Sequence, residues 1–509
     1  MKRKSLVAAA VLVPVVAIGG TAWALRTQGS ARETAQEFLA AWSRQDYPAM
    51  RALTVDPPGD FDQTYRRFRT DLKLSGAGFE VTGGDESRMG FHATLKGPVN
   101  WGYDGSLQLV EHDRAWRVKW TPAAVHPRLK AGMRLRTVQV KAEQAPVLAA
   151  DGTRIDIASA PGSVQQLVEG LKERYGSRLT GTSSARVELV RGSERIATLA
   201  TADAKAGTEL RTTIDLSVHR AAADALETVK KPASLVALRP STGEILAVAN
   251  KPGGFNRALL GHYPPGSTFK VVTASALVAG GMTAGERVPC PAEENIGGFP
   301  FHNAGFEEFG TIALREAFAH SCNTTFGRLS VDKLGGRRLA EVAGSFGFGG
   351  PVDPGVPAVR AQFPDTKDDT DLASASIGQG RVLTSPLNMA TVAAAIADGS
   401  WRPPRLVDAA LLPEATRPRK LEPAVVRALR TLMPAVVSEG TAAGVPFPAG
   451  TAGKTGTAEY GTGEQPPTHA WFIGYRGDLA FSVIVEGGGT GAKAAAPIAA
   501  RFLSALTHR

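Results

Sequence analysis

Two different patterns of apolar and polar residues succeed each other along the chain. In the first pattern, apolar side chains recur at helical spacing, at Ala35, Phe38, Leu39 and Trp42. Short segments in which apolar and polar residues alternate follow at residues 91–95, 106–110 and 116–120. A helical part followed by alternating strands predicts a small α+β cone with a curved antiparallel sheet.

The second pattern begins at about residue 208 and predicts buried strands. Mostly apolar segments at residues 234–238 and 244–248 flank a turn that contains proline and glycine, which indicates a buried hairpin. Helical patterns precede and follow this hairpin, so we expect an α/β sandwich in which helices cover an antiparallel sheet. Residues 127–207 are less regular, with short strands and one helix near residues 164–175.

An uncharged, mostly apolar run covers residues 5–25, directly after Lys2, Arg3 and Lys4. Its 21 residues are enough to cross a bilayer as a helix. Positive flanking charge keeps this end in the cytoplasm and sends the rest of the chain outward. We therefore predict a single-pass transmembrane anchor at 5–25, a cytoplasmic tip at 1–4 and an extracytoplasmic location for the bulk of the chain. The Ala-Trp-Ala sequence at 22–24 leaves a cleaved signal peptide as the alternative.

Composition and charge narrow the classes of partner. The 509 residues are 43% hydrophobic and 21% charged, which is a mixture that can build sizeable globular cores. The net charge of +10 suits an anionic neighbour, such as a cell-envelope polymer or a lipid surface. Because no basic run is interleaved with aromatic residues, we expect no nucleic-acid partner. The two cysteines, Cys290 and Cys322, have no metal-ligand spacing. We expect two separate buried thiols, with a single bridge outside the cytoplasm as the alternative.

The candidate nucleophile lies where a proline–glycine turn runs into a helix. The turn at residues 265–266 breaks the backbone, and Ser267 then stands in the first turn of a buried helix. Lys270 lies three residues later, so the hydroxyl and the amine share one helical face. The pattern alone is uninformative, because Ser330 and Lys333 repeat it. That second copy is not preceded by a turn that would deliver its serine to a helix start.

Two further short motifs follow this pair along the chain. They are Ser321-Cys322-Asn323 and Lys454-Thr455-Gly456-Thr457. The three motifs, in this order and separated by 54 and 133 residues, match the signature of serine penicillin-recognising enzymes. The combination, rather than any one motif, indicates the chemistry.

The chain resembles the class B, or monofunctional, penicillin-binding proteins, which are transpeptidases of this family. The resemblance covers most of residues 209–509. The Trp116-x-Val118-x-Trp120 strand and its position resemble the nuclear-transport-factor-2-like domain at the N-terminus of low-affinity penicillin-binding proteins. After the tip and the anchor, we expect that domain at 26–126, a pedestal or dimerisation domain at 127–207 and the transpeptidase domain at 208–509.

The resemblance implies a role for each candidate catalytic residue. Ser267 would be the nucleophile, and Lys270 would act as its base. Lys270 can do so only if it is neutral, which burial and the nearby charge of Lys454 would favour. Ser321 would relay a proton between Lys270 and the leaving or attacking nitrogen. Asn323 would hold Lys270 and the peptide carbonyl of the substrate.

The third motif would bind the substrate. In the family it lies on an edge strand, where Gly456 leaves room for a substrate peptide to pair with the strand. The hydroxyls of Thr455 and Thr457 would bind the terminal carboxylate together with Lys454. The backbone N–H groups of Ser267 and Thr457 would form the oxyanion hole.

The resemblance also implies the reaction, which needs no cofactor and no metal ion. A D-alanyl-D-alanine stem peptide would acylate Ser267 and release D-alanine, and an amine of a second stem peptide would then attack the acyl-enzyme. Beta-lactams would acylate the same serine. The expected partners are peptidoglycan stem peptides, beta-lactam antibiotics, the cell membrane and a separate SEDS-family glycosyltransferase, because residues 26–208 contain no glycosyltransferase motif.

The motifs leave other functions to be weighed. A D-alanyl-D-alanine carboxypeptidase shares all three motifs, and a low-affinity transpeptidase that confers beta-lactam resistance shares the N-terminal domain as well. A beta-lactam receptor would need a cytoplasmic effector, for which residues 1–4 leave no room. A beta-lactamase is disfavoured, because no Glu-x-x-Leu-Asn sequence lies between Asn323 and Lys454.

Overall fold

The computed structural model describes residues 29–203, 205–413, 417–462 and 466–507, and the chain divides into two compact units. The N-terminal unit runs to Gln144 and also includes Thr180–Gly207. The C-terminal unit consists of Ala145–Leu179 and everything from Thr208 onward. The predicted anchor at 5–25 and the tip at 1–4 lie outside the described residues. Within the described ranges, no helix is long and apolar enough to cross a membrane.

The N-terminal unit starts with helices and continues with a sheet, as its sequence pattern predicts. The helices are α1 Ala31–Arg44, α2 Tyr47–Ala52 and α3 Phe61–Asp71. The strands are β1 Thr54–Val55, β2 Gly76–Asp85, β3 Arg88–Lys96, β4 Trp101–His112 and β5 Ala115–Lys119, and they form one sheet in the order β1-β5-β4-β3-β2. A capping box between Ser30 and Glu33 fixes the start of α1.

Aromatic side chains from helix and sheet form the core of this part. The ring of Trp42 on α1 stacks on Phe79 of β2 at 3.8 Å and meets Tyr65 of α3 edge-on at 4.9 Å. Alternate residues of β3 point inward, so that Phe91, Ala93 and Leu95 are fully buried. The period-2 pattern of the sequence therefore corresponds to one buried and one exposed face of the sheet.

A second sheet completes the N-terminal unit. It consists of β6 Met133–Val140, β7 Ser184–Arg191 and β8 Glu194–Thr201, with antiparallel pairing throughout. The chain between β6 and β7 contributes residues 145–179 to the C-terminal unit. The segment predicted as a pedestal at 127–207 thus supplies residues to both compact units, and its boundaries as a domain stay a prediction.

A five-stranded antiparallel sheet is the centre of the C-terminal unit. Its strands are β9 Ala233–Leu238, β10 Ile245–Lys251, β15 Ala452–Glu459, β16 Thr468–Arg476 and β17 Leu479–Val485, and their order in space is β10-β9-β17-β16-β15. Between β10 and β15 along the chain, β11 Arg287–Cys290 pairs antiparallel with β14 Gly310–Ala313, and the segment between them forms a hairpin of β12 Glu293–Ile296 and β13 Phe299–His302. Two-residue strands pair Val147–Leu148 with Leu210–Arg211 and Ser400–Trp401 with Arg419–Lys420.

Helices cover both faces of the central sheet. The helices that lie wholly or mainly in the C-terminal unit are α4 Gly162–Thr180, α5 Leu216–Leu226, α6 Arg257–Leu260, α7 Lys270–Ala279, α8 Leu314–Ala319, α9 Asn323–Leu329, α10 Gly335–Ser345, α11 Asp369–Ser376, α12 Pro386–Asp398, α13 Pro423–Ser438 and α14 Gly491–Thr507. Helices α5 and α14 pack together on the sheet, while α12 and α13 pack on it beside α7. Every residue of β9 is buried, as expected for a strand that is covered on both sides. The predicted α/β sandwich is confirmed.

The two cysteines form a disulfide bond, so the expectation of two separate thiols is wrong. Cys290 at the end of β11 is joined to Cys322, which precedes α9, across 32 residues of sequence. The hairpin of β12 and β13 folds the intervening chain back on itself and brings the two Cα atoms to 6.1 Å. The spacing of the two cysteines in the sequence does not indicate that the intervening chain folds back in this way.

Candidate active site

The serine of the first motif lies in a short 3₁₀ turn, Gly266–Phe269, that leads directly into α7. Gly266 adopts a left-handed φ of 53°, which bends the chain sharply before the serine. The side chain of Ser267 is half-buried, so its hydroxyl is accessible from one side. The predicted turn-then-helix geometry is therefore present.

Lys270 lies beneath this serine and is completely buried. Its Nζ is 3.2 Å from the Oγ of Ser267. Burial holds the pKa of the Lys270 amine well below its ordinary value, and the positive charge of Lys454 lowers it further. An amine in this position is neutral at a pH at which a surface lysine is charged, so it can accept the hydroxyl proton.

The second motif faces the same amine. Ser321 lies between α8 and α9 with a left-handed φ of 62°, which is uncommon for a residue other than glycine. This conformation points the Ser321 carbonyl oxygen at Nζ of Lys270 at 2.6 Å, and its Oγ lies 3.3 Å from that nitrogen. Asn323 Oδ1 accepts a further hydrogen bond from Lys270 at 2.6 Å. Together with the Ser267 hydroxyl, these three oxygens surround one buried nitrogen.

Lys454 on β15 is the second fully buried lysine of the site. Burial lowers the pKa of its amine to about 7, because the ammonium form has lost its water. Its Nζ donates to the backbone carbonyl of Thr455 at 3.1 Å and lies 5.6 Å from the ring centroid of Phe318. Near neutral pH, Lys454 therefore exchanges between a charged and a neutral form.

The strand that carries the third motif lies at a sheet edge. Among the described strands, β15 has a hydrogen-bonded neighbour on one side, β16. The Thr455 hydroxyl is 2.6 Å from that of Thr441, so its orientation is fixed from behind the strand. Backbone of the first and third motifs is in contact, because a Cβ placed on Gly266 would come 2.5 Å from the carbonyl oxygen of Thr457.

Gly456 is required by the packing of the protein itself. A Cβ at this position would come 2.9 Å from Thr268 Cγ2, 3.0 Å from the Pro265 carbonyl oxygen and 3.1 Å from Trp471 Cβ. The missing side chain therefore lets β15 lie close to the segment that carries Ser267. The substrate-binding reason given for this glycine in the sequence analysis stays a prediction.

The second Ser-x-x-Lys copy is not assembled into a site. Ser330 is buried and donates its hydroxyl to the Phe326 carbonyl oxygen at 2.8 Å. Lys333 forms an ion pair with Glu286 at 3.3 Å, with about half of its side chain exposed. The two side chains of this copy thus have different partners, whereas those of Ser267 and Lys270 contact each other.

Several residues around the site were not assigned a role from sequence. Gly378 packs against the serine turn, since its carbonyl oxygen accepts from the Gly266 amide at 2.9 Å. Asn303 binds the backbone of Asn323 through its side chain at 2.8 Å. Both contacts are long-range, and no local pattern marks Asn303. Within the described ranges, no group of three or more His, Cys, Asp or Glu side chains could hold a metal ion.

Comparison with known proteins gives matches to both units. Residues 233–504 match the family model of the penicillin binding protein transpeptidase domain, and residues 30–133 match that of an NTF2-like N-terminal transpeptidase domain. The chain is 35% identical over 406 residues to peptidoglycan D,D-transpeptidase PbpA of Mycolicibacterium smegmatis, which covers 65% of this chain and 80% of that protein. The protein of the same name from Mycobacterium tuberculosis is 31% identical over 405 residues, with the same coverage.

Solved structures resemble the chain over a similar extent. The penicillin G acyl-enzyme complex of penicillin-binding protein A from M. tuberculosis superimposes with a TM-score of 0.58 at 27% identity, covering 72% of this chain and 100% of that one. The D,D-transpeptidase domain of a peptidoglycan glycosyltransferase from Eggerthella lenta gives a TM-score of 0.59 at 25% identity, covering 72% and 99%.

Proposed function

Because the chain belongs to the penicillin-binding protein transpeptidase family, we propose that it is a peptidoglycan D,D-transpeptidase that uses Ser267 as its nucleophile. D-Alanyl-D-alanine stem peptides acylate this serine, and the acyl-enzyme then forms a cross-link between cell-wall peptides. The observation that carries the proposal is the buried Lys270 amine, which contacts the Ser267 hydroxyl, two Ser321 oxygens and the Asn323 amide.

Acylation begins with proton transfer from Ser267 Oγ to the neutral Lys270 Nζ. The serine oxygen attacks the carbonyl carbon of the penultimate D-alanine. The resulting oxyanion is stabilised by the N–H groups of Ser267 and Thr457, whose segments are in contact at Gly266. As the tetrahedral intermediate collapses, the proton passes by way of Ser321 to the departing nitrogen, the peptide bond breaks and D-alanine leaves.

Cross-linking reverses this proton path. An amine of a second stem peptide attacks the ester carbon of the acyl-enzyme and gives up its proton to Lys270 through Ser321. The ester bond breaks, the proton returns to Ser267 Oγ, and a new peptide bond joins the two stems. Asn323 orients Lys270, and Lys454 with Thr455 and Thr457 binds the substrate carboxylate.

Beta-lactams acylate the same serine, because their strained amide presents a carbonyl and a carboxylate in the corresponding places. Support for this part of the proposal comes from the related protein of M. tuberculosis, which has been solved as a penicillin G acyl-enzyme complex.

We further propose that the protein acts at the outer face of the cell membrane. The apolar run at 5–25 behind a basic tip supports a single-pass anchor. The disulfide supports an extracytoplasmic location, because cytoplasmic thiols are normally kept reduced. A separate SEDS-family glycosyltransferase would supply the glycan strands, since residues 26–208 carry no glycosyltransferase motif.

The decisive experiment supplies the purified protein with a pentapeptide donor, with and without an acceptor amine, and identifies the products by mass spectrometry. A cross-linked peptide is expected. Free tetrapeptide as the sole product would overturn transpeptidation and assign a carboxypeptidase. Fluorescent penicillin identifies the nucleophile: Ser267→Ala should abolish covalent labelling, and Ser330→Ala, the matched control from the second motif copy, should leave it unchanged.

A further inference from the structure

Asn303 is a buried asparagine behind the second motif, with only 3% of its surface exposed. It follows β13, and its side chain bonds in two directions. Its Nδ2 donates to the carbonyl oxygens of Pro291 at 2.8 Å and Glu307 at 2.9 Å. Its Oδ1 accepts from the Asn323 amide at 2.8 Å and from the Thr324 amide at 3.3 Å. Both the oxygen and the nitrogen of the amide therefore have hydrogen-bond partners, which offset the cost of burying this polar side chain.

The Oδ1 contacts cap α9 from another part of the chain. This helix starts at Asn323, and the residue before it is Cys322, whose sulfur is engaged in the disulfide. The first amides of a helix need an acceptor, which the preceding residue normally supplies from its own side chain. Here an asparagine 20 residues upstream supplies it.

The same stretch of chain also fixes the side chain of Asn323. The backbone carbonyl of His302 accepts from Asn323 Nδ2 at 3.0 Å, which leaves Oδ1 facing the Lys270 amine at 2.6 Å. Asn323 is therefore held at its backbone by Asn303 and at its amide nitrogen by His302. Asn303 Nδ2 also lies 3.3 Å from the sulfur of Cys290, so the contacts that hold Asn323 lie next to the disulfide.

We propose that Asn303 is a positioning residue of the catalytic centre, which holds the Ser321–Asn323 turn so that its oxygens meet the Lys270 amine. This inference rests on the proposed transpeptidase function. Asn303 acts through Asn323 rather than on the substrate. Its loss should therefore slow the chemical step of acylation and leave the initial binding of the acylating ligand nearly intact.

The test measures pre-steady-state acylation of the full-length protein by a chromogenic cephalosporin, separating the dissociation constant of the initial complex from the acylation rate constant. Asn303→Ala should lower the rate constant by about ten- to a hundredfold, because a displacement of about 1 Å in a catalytic group can cost that much. The dissociation constant should change by less than about threefold. Asn295→Ala is the matched control: it removes an exposed asparagine from β12 of the same hairpin, where the side chain accepts a hydrogen bond from the Gly298 amide.

A double-mutant cycle distinguishes positioning from general damage. If Asn303 acts through the Ser321–Asn323 turn, then adding Asn303→Ala to Asn323→Ala should cost less than the full Asn303→Ala loss, because the Asn323 side chain that Asn303 positions is already gone. Multiplying rate losses in the double variant would overturn the proposal, as would an unchanged rate constant in Asn303→Ala. Asn303→Ser, whose hydroxyl is too short to reach the Asn323 amide, should reproduce the loss if Asn303→Ala does not fold. Failure of both variants to fold would assign Asn303 to stability and also overturn the proposal.

Failure of the proposed function gives a different result. If the unchanged protein is not acylated on Ser267, the transpeptidase assignment is wrong, whatever Asn303 does. If the unchanged protein is acylated and Asn303→Ala is acylated equally fast, only the positioning role is wrong.

Discussion

Replacing Lys454 with methionine should remove the alkaline limb from the pH dependence of acylation. Methionine keeps much of the length and volume of the lysine stem and carries no charge at any pH. The fully buried site should therefore tolerate it as well as any substitution. Any change in the pH dependence of acylation then reflects the loss of the Lys454 charge rather than a loss of packing.

The magnitude follows from the electrostatics of the buried amine. A pKa lowered from the ordinary lysine value of 10.5 to about 7 corresponds to roughly 5 kcal/mol of lost solvation for the ammonium form. The charged fraction of Lys454 falls from about nine-tenths at pH 6 to about one-hundredth at pH 9. If that charge binds the ligand carboxylate, the second-order acylation constant should fall by up to about two orders of magnitude over this range. Hydrogen bonds from the neighbouring hydroxyls would still bind the carboxylate, and they limit how far the acylation constant falls.

The acid limb of the pH profile depends on Lys270, which must be neutral where Lys454 must be charged. It must be neutral to accept the serine proton, so acylation should rise as the pH passes its lowered pKa from below. Removing the positive charge of Lys454 takes away one of the two causes of that lowering. In Lys454→Met the acid limb should therefore move to higher pH, while the alkaline limb disappears.

The assay is the second-order rate constant for acylation by benzylpenicillin between pH 5 and 9.5 at constant ionic strength, with circular dichroism at each pH to show that the fold persists. Lys420→Met, a change on an exposed strand residue, serves as the control and should reproduce the unchanged profile. An alkaline limb that survives in Lys454→Met would refute the assignment of that limb to Lys454. An acid limb that stays in place would refute the electrostatic coupling between the two lysines.

Other changes test other contacts. Gly456→Ala should destabilise the C-terminal unit by about 1–3 kcal/mol and slow acylation, because the added methyl would press on the serine segment; thermal unfolding and labelling rates that both stay unchanged would contradict this. Thr441→Val should slow acylation about two- to tenfold through the loss of its 2.6 Å contact with Thr455, and an equal effect on a ligand without a carboxylate would argue against a role in carboxylate binding. Replacing Cys290 and Cys322 by alanine should cost about 3–4 kcal/mol of unfolding free energy in guanidinium, the chain-entropy value for a loop of 32 residues; equal stability of the oxidised and reduced protein would count against it.

The parts of the site that sequence predicts are those whose geometry is local. Ser267 and Lys270 are one helical turn apart, so a turn followed by a helix is enough to place the hydroxyl 3.2 Å from the amine. The alternating strands and the mostly apolar strands likewise follow from periodicity, because burial on one or two faces leaves a direct imprint on the residue pattern.

The parts of the site that sequence does not predict depend on contacts between residues that are far apart in the chain. Asn303 has no pattern that sets it apart from a loop asparagine until the hairpin brings it to Asn323. The pairing of Cys290 with Cys322 depends on the same hairpin. Gly456 shows a related difficulty: its position is evident from the motif, whereas the neighbours that exclude a side chain come from Thr268 and Trp471.

The order in which the two units use the chain has a consequence for biosynthesis. The N-terminal unit needs Thr180–Gly207 to finish its second sheet, and α4 emerges from the ribosome before that stretch although its apolar side chains, such as Leu167 and Leu171, belong to the core of the other unit. The apolar face of α4 therefore stays exposed to solvent until the C-terminal stretch that covers it has been synthesised. A fragment that begins at Thr208 leaves the helix behind and exposes the surface it covers. Cutting the gene at the start of the matched transpeptidase region would thus separate a folding unit from part of its own interior.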